Sequence, residues 1–146
     1  RLNFHDLDAA FSRQPLDLLQ ERGHLQVIGQ RRPQVRLVMG ALGLERLRAS
    51  ERYVGYVAKS NPAGHPQFWI CLPFDQKPAT SGNGTQIGFR AADRAAVDRF
   101  YAAAMANGGM DEGKPGLRPH YHANFYGAYV RDPDGNKLLA VCHDPA

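Results

Sequence analysis

The sequence has few cysteines and no long hydrophobic run. Cys71 and Cys142 are its only cysteines, which is too few for the disulfide framework of a small secreted domain, and they lack the spacing of a zinc site. No stretch approaches the ~18 consecutive apolar residues of a membrane-spanning helix, and no charged-then-apolar leader is recognisable. We therefore expect a protein with reduced cysteines that lies in the cytoplasm and does not bind membranes.

The sequence also lacks a strong excess of one charge. It contains 18 lysines and arginines against 14 aspartates and glutamates, a formal net charge of +4. No recognition helix, zinc finger or aromatic RNA-binding signature accompanies the basic residues, so we expect no nucleic-acid binding. Hydrophobic residues make up 43% and charged residues 22% of the chain, values close to globular averages that exclude disorder, collagen and coiled coil. The length fits one domain.

The second half of the sequence predicts one helix between strands. Residues 85–90 alternate with period two, which is typical of a half-buried strand. Asp93 is a suitable N-cap for a helix with an apolar stripe, and Gly108-Gly109 supplies its end. The stripe comprises Val97, Phe100, Tyr101 and Ala104. A short strand should follow, and then a loop, a strand, a turn and a last strand at residues 113–119, 125–130, 132–135 and 137–142.

The first half repeats this order at three places. Residues 39–44 parallel 105–110, and residues 53–57 parallel 126–130. The segment Phe68–Cys71 parallels Leu139–Cys142. Three matches in order predict a tandem duplication, with the first strand of the first half at residues 24–28. We expect one domain at 24–146, with modules at 24–75 and 84–146, and an N-terminal extension of unknown role at 1–23.

Residues 29–38 do not fit the repeat. The segment has no helical apolar stripe, and Pro33 interrupts it. With permitted codons, Gly29 to Val38 read one nucleotide later can give V-S-D-D-L-K-S-A-S, which suits a strand exit and a helix start. This pattern suggests a hypothesis of a local frameshift, which sequencing of the DNA would test.

The repeated β-α-β-β-β order carries a family resemblance. Together with the segments Gly116–His122 and Tyr129–Lys137, the latter containing D-P-D-G-N before an apolar strand, it resembles the vicinal oxygen chelate superfamily. That superfamily contains glyoxalase I, bleomycin resistance proteins and extradiol dioxygenases. The resemblance implies an α+β fold in which tandem βαβββ modules form an incomplete eight-stranded barrel with the helices outside. It also implies a homodimer and a divalent metal (Zn, Ni, Mn or Fe) that chelates two substrate oxygens.

The resemblance also implies where metal ligands would lie. Carried over to this sequence, the four positions are His24, Phe68, Gln86 and Leu139. His24 and Gln86 have donor atoms, whereas Phe68 and Leu139 cannot bind a metal and would form pocket wall. The ligand set is therefore incomplete. The alternatives are a strand histidine bonded to backbone and a glutamine that faces a wet cavity.

A loop between proline and glycine residues contains the richest remaining polar group, His120-Tyr121-His122. Histidines two apart on an extended chain face the same way and could reach one ligand, carboxylate or metal. His143 follows the last strand on the side of Leu139 and could join them. The predicted substrate-binding residues are Phe68, Arg90, His120, Tyr121, His122, Leu139 and His143. The alternative is a loop packed against the barrel rim. Cys71, Cys142 and Trp69 should pack under the helices.

Three classes of function remain open. The first is an enzyme of lactoylglutathione lyase-like or dioxygenase-like type, which acts on a small oxygen-rich or aromatic molecule in a barrel cavity; no catalytic residue can be named. The second is a metal-free protein that sequesters a small molecule such as an antibiotic. The third is a structural or pseudogene-like product, because the first half of the repeat is irregular.

Overall fold

The computed structural model describes residues 35–50 and 52–146, which contain two helices and seven strands. Helix α1 covers residues 35–41, and α2 spans Arg94–Ala106. The strands are β1 Leu44–Ala49, β2 Tyr53–Ala58, β3 Phe68–Cys71, β4 Gln86–Arg90, β5 Met110–Leu117, β6 Tyr126–Arg131 and β7 Lys137–Cys142. The predicted strand at 24–28, the extension at 1–23 and His24 lie outside the described residues.

The strands form two separate sheets. The first sheet has the order β1-β2-β3 and is antiparallel, and the second has the order β4-β7-β6-β5, with only β4 and β7 parallel. The predicted α+β class is confirmed. The described part of the chain contains two sheets of three and four strands and no closed barrel, so the incomplete eight-stranded barrel stays a prediction.

The two sheets share a pairing register. Tyr53 pairs with Cys71 in the first sheet as Tyr126 pairs with Cys142 in the second. Three residues further along these strands, Phe68 pairs with Tyr56 in the first sheet, and Leu139 pairs with Tyr129 in the second. This shared register supports the duplication and the equivalence of the Phe68 and Leu139 positions.

Helix α2 forms where the sequence predicts it. The Asp93 carboxylate caps it, with Oδ1 accepting a hydrogen bond from the Ala96 backbone N–H at 2.6 Å. Two residues past its end, Gly108 adopts a positive φ of 84°, which glycine accepts without strain. The apolar stripe packs on one side of β6 and β7, with Phe100 completely buried. The residues joined in this core are Ala96, Val97, Phe100, Ala104, Ala128, Val130, Leu138, Ala140 and Cys142.

The prediction of a loop at residues 113–119 is wrong for most of these residues, because β5 continues to Leu117. Pro115 cannot donate a backbone hydrogen bond, but β5 is an edge strand that pairs only with β6. The register shifts between Asp111 and Gly113 and again between Gly113 and Gly116. Gly113 has a φ of 154° at these irregularities. The edge position and the bulges therefore admit proline and glycine in a strand.

The two cysteines differ in burial. Cys142 is buried beneath α2, as predicted, but Cys71 is exposed, and the prediction that it packs under a helix is wrong. Cys71 is the last residue of β3, which is an edge strand of the first sheet. Trp69 is half-buried on the first sheet, where its ring would lie 2.8 Å from a Cβ at Gly55. Glycine is thus needed at position 55 for this close approach.

Within residues 35–50 and 52–146, neither helix has the length and apolar character to cross a membrane. The cytoplasmic location and the lack of nucleic-acid binding stay predictions.

Candidate functional site

A cavity of about 270 Å³ lies between α1, the first sheet and the C-terminal end of α2. Ile87 of β4 and Leu138 of β7 close it from the second sheet. Its lining is Val35, Val38, Met39, Val54, Phe68, Trp69, Ile70, Ile87, Ala104, Asn107, Gly109, Val130, Arg131, Asp132, Pro133, Asp134, Asn136 and Leu138. Most of these side chains are apolar, so the cavity suits an apolar or aromatic molecule.

Phe68 is the one predicted substrate-binding residue that lines this cavity. Its ring meets Phe89 edge-on, with the centroids 5.1 Å apart, and lies 6.2 Å from the ring of Tyr56. Both contacts belong to the core between the sheets. Leu139 is not among the residues that line this cavity, so its assignment to a pocket wall stays a prediction.

The polar part of the cavity lining comes from the turn between β6 and β7. Asp132 Oδ1 accepts hydrogen bonds from the backbone N–H groups of Asp134 and Asn136, and its Oδ2 accepts one from the Asn136 side chain. Gly135 has the positive φ, 89°, that this predicted turn requires. Because the turn itself uses both oxygens of Asp132, that carboxylate is already satisfied at the cavity wall.

Arg131, which also lines the cavity, is held by two partners. Its Nε donates to Glu112 Oε1 at 2.6 Å, and its Nη1 donates to the Gly135 carbonyl at 2.8 Å. Lys137 lies 3.5 Å from the other oxygen of Glu112. The hydrogen bond from Arg131 and the nearby positive charges hold the pKa of Glu112 below its usual range. The positive charge of Arg131 is therefore compensated.

The other predicted residues lie on the far side of the second sheet. Period-two alternation directs Ile87 and Leu138 toward the core and their neighbours to the opposite face, which we name the far face. The far face comprises Gln86, Gly88, Arg90, Gly127, Tyr129, Arg131, Lys137, Leu139 and Val141. Gln86, Gly88 and Arg90 are exposed on it, and Leu139 is buried. Arg90 Nη2 lies 3.4 Å from Asp144 Oδ2, just beyond β7.

Five residues form an aromatic group at one end of this face, which we name the histidine cluster: His120, Tyr121, His122, Phe125 and His143. The Phe125 ring lies against Gly127, where an added Cβ would be 2.9 Å from its Cε1. Burial, with a hydrogen bond to Tyr121, raises the pKa of Tyr129 above the usual tyrosine range. The structure thus brings together the loop histidines and the end of β7, a proximity that the alternation of β7 suggested.

The hydrogen bonds of the cluster assign its ring protons. His122 Nδ1 accepts from the Asn124 backbone N–H at 3.2 Å, so in the neutral ring the proton is on Nε2. His122 Nε2 lies 2.8 Å from His143 Nδ1, which must then accept. The remaining proton of neutral His143 is on Nε2. His122 Nε2 is consequently a donor and not a lone pair that a metal could use.

The described residues do not fit the metal that the fold family implies. Phe68 lies in the core between the sheets, Leu139 lies on the far face, and neither has a donor atom. Of the carried-over positions in the described ranges, Gln86 alone has a donor atom. Among residues 35–50 and 52–146 there is no group of three or more His, Cys, Asp or Glu side chains that could hold a metal ion.

The sequence analysis did not identify several residues of the cavity and of the histidine cluster. Ile70, Ile87 and Leu138 line the cavity, and Asn124 and Phe125 build the histidine cluster. The alternation of β4 and β7 identifies Ile87 and Leu138 as core-facing, but which elements leave a space beside them depends on packing between sheets. Asn124 acts through its backbone N–H, for which the side-chain pattern contains no signal.

The comparison with protein families decides the identity of this fold. The family model of the glyoxalase/bleomycin resistance protein/dioxygenase superfamily matches residues 35–139. The chain belongs to this superfamily. The vicinal oxygen chelate resemblance is thereby confirmed.

Solved structures of superfamily proteins are similar to this chain. A glyoxalase/bleomycin resistance protein from Albidiferax ferrireducens T118 is 38% identical, with 76% of this chain and 85% of that chain covered and a TM-score of 0.63. A superfamily enzyme from Burkholderia phytofirmans PsJN is 19% identical, with 80% and 91% covered and a TM-score of 0.57. The second likeness supports the fold alone. No curated protein is significantly similar to this chain.

The Glu112 contacts of this superfamily member predict a pH-dependent stability. Because folding lowers the pKa of Glu112, its contacts stabilise the fold above the ordinary glutamate pKa of 4.5, and this stabilisation is lost as the pH falls from 4.5 through the lowered value. Urea unfolding from pH 6 to pH 3 measures the effect. Glu112→Gln should have a lower midpoint at pH 6, and the difference should shrink toward pH 3. Parallel curves for the two proteins would contradict the assignment.

Proposed function

We propose that this superfamily member binds a small, uncharged aromatic molecule in the apolar cavity and does so without a catalytic metal. The observation that carries the proposal is the cavity itself, which joins both helices and both sheets around a largely apolar lining. Concave apolar sites with a few polar groups are where proteins most often hold small molecules.

The size and chemistry of the cavity narrow the ligand class. An apolar protein cavity of about 150 Å³ stays dry and binds benzene, and the cavity here has a volume of about 270 Å³. A two-ring molecule is therefore a reasonable upper size. Phe68 supplies an aromatic contact, and the Asn107 and Asn136 side chains supply polar groups. Asp132 and Arg131 are already paired, which favours an uncharged ligand over an ion.

Metal-assisted lyase or dioxygenase chemistry is the less supported alternative. A Lewis acid that binds two substrate oxygens needs several protein donors that converge on one point. In the described residues, Gln86 is the single donor at the carried-over positions, and His122 Nε2 is engaged as a hydrogen-bond donor. We therefore propose sequestration or transfer of the ligand as its role.

A cavity-filling substitution tests the proposed cavity site. Ala104→Leu adds a branched side chain from α2 into the cavity and should weaken the binding of the neutral two-ring dye 6-propionyl-2-(dimethylamino)naphthalene by about tenfold or more, because the added atoms occupy ligand space. Fluorescence titration measures the affinity. Ala102→Leu, on the exposed side of the same helix, should leave it unchanged. Equal affinities for all three proteins would exclude the cavity as the binding site.

Metal titration tests the proposed independence from metal. Calorimetry after chelator treatment should detect only weak, substoichiometric binding of Zn²⁺, Ni²⁺ or Mn²⁺ by the natural chain. Leu139→Glu adds a carboxylate on the same face as Gln86 and should raise the metal affinity. It should also lower the stability of the metal-free protein by about 2 kcal/mol, because Leu139 is buried and the new charge has no partner. Leu139→Gln is the uncharged control. Tight stoichiometric binding by the natural chain would overturn the proposal.

We further propose that the chain forms a homodimer, as the family resemblance implies. Edge strands with unpaired backbone groups need covering, and β1 and β5 are edges of their sheets. Sedimentation at micromolar concentration should give about twice the 16.2 kDa of one chain. A monomer alone at that concentration would contradict the dimer.

A further inference from the structure

We propose that the histidine cluster is a second binding site, separate from the cavity, for a small aromatic carboxylate. The cluster lies on the far face of the second sheet, whereas the cavity lies on the face that packs against the core. The proposal does not depend on what the cavity binds. It rests on a fixed hydrogen-bond donor, a group of exposed rings and the balance of nearby charge.

The donor is the Nε2–H group of His143. The Asn124 backbone N–H fixes the proton of His122 on Nε2, and His122 in turn fixes the proton of His143 on its outer nitrogen. No acceptor from the described part of the chain bonds to His143 Nε2, and the residue is exposed. His143 therefore presents an oriented donor, and His122 acts as its positioning residue.

The rings offer surfaces for a planar partner. Tyr121 is 60% exposed, and its ring centroid lies 4.3 Å from that of His120 and 4.8 Å from that of Phe125. Phe125 also meets His143 edge-on, with the centroids 5.5 Å apart. Aromatic pairs at these separations contribute beyond the area that they bury. An aromatic ligand held by His143 thus has ring surfaces beside the donor.

The charges near the cluster favour an anion. Arg90 reaches the segment after β7 through Asp144. Arg118 adjoins the cluster through its backbone, since its N–H donates to the Phe125 carbonyl at 2.8 Å and its carbonyl accepts from the Tyr121 N–H at 3.0 Å, while its guanidinium donates to the Lys114 and Leu117 carbonyls. Among the described residues, Arg90 and Arg118 therefore border the cluster, and Asp144 is the carboxylate beside them. The Arg90–Asp144 contact is exposed and 3.4 Å long, so a ligand carboxylate can compete for Arg90 at little cost.

Titration with benzoate, followed by nuclear magnetic resonance of the full chain, tests this site. Benzoate should shift the signals of Tyr121, His122 and His143 in a saturable manner. Benzamide, which lacks the charge, and cyclohexanecarboxylate, which lacks the π-face, should bind more weakly. The nitrogen spectra of the histidine rings should place the protons of His122 and His143 on Nε2. Shifts confined to Ile70, Ile87 and Leu138 would assign benzoate to the cavity and overturn the proposal.

Substitutions distinguish the contribution of the His143 donor to benzoate binding from that of the aromatic rings. His143→Ala should weaken benzoate binding by about tenfold, because it removes a hydrogen bond to a charged ligand. Tyr121→Ala should weaken it by about threefold, because it removes one stacking surface. His122→Ala should weaken binding and His122→Gln should restore part of it, since the glutamine amide can still donate to His143 Nδ1. His65→Ala removes an exposed histidine from the first half and is the matched control. Unchanged affinity in His143→Ala would refute the site.

Discussion

Phe100 is completely enclosed between α2 and the second sheet, and most of the described structure depends on this contact. Truncating a buried phenylalanine typically costs ~3–5 kcal/mol, whereas exposed ion pairs contribute about 0–1 kcal/mol each. The pairs Arg99–Asp93 and Arg90–Asp144 are of the exposed kind. Burial of the apolar stripe of α2, rather than surface charge, therefore determines which face of the second sheet is inside.

The face of the second sheet that packs against α2 determines where the cavity and the histidine cluster form. Once Leu138, Ala140 and Cys142 pack beneath α2, alternation sends Leu139 and Val141 to the far face, and His143 continues on that side. The first sheet also packs on the core side, through the contact of Phe68 with Phe89. A cavity with apolar walls and a cluster with polar rings thus form on opposite sides of one sheet. Their difference in chemistry follows from the difference in solvent access.

Local patterns predicted the second half well because its signals act over a few residues. The Asp93 cap, the turn that ends with Gly135 and the alternation of β4 all have short-range physical causes. The same alternation explains how His143 could be expected near His122. The position of Phe68 could not be predicted in this way. The alternation of a strand shows which residues share a face, but it does not show which face packs against another sheet. The extent of β5 was missed because proline and glycine indicate a loop unless the strand is known to be an edge.

The residues at the carried-over metal positions are consistent with the contrast between the apolar cavity on one side of the second sheet and the histidine cluster on the other. A divalent cation in a mostly apolar cup needs negative charge or several neutral donors, or its dehydration is not compensated. Phe68 instead packs against Phe89 of the second sheet, and Leu139 is buried on the far face. An apolar side chain at such a position avoids the cost of burying charge, and Phe68 accordingly adds apolar surface to the cavity lining. Phe68, which excludes a metal at its position, is thus suited to contact the proposed uncharged ring, while the exposed imidazoles of the histidine cluster border the proposed anion site.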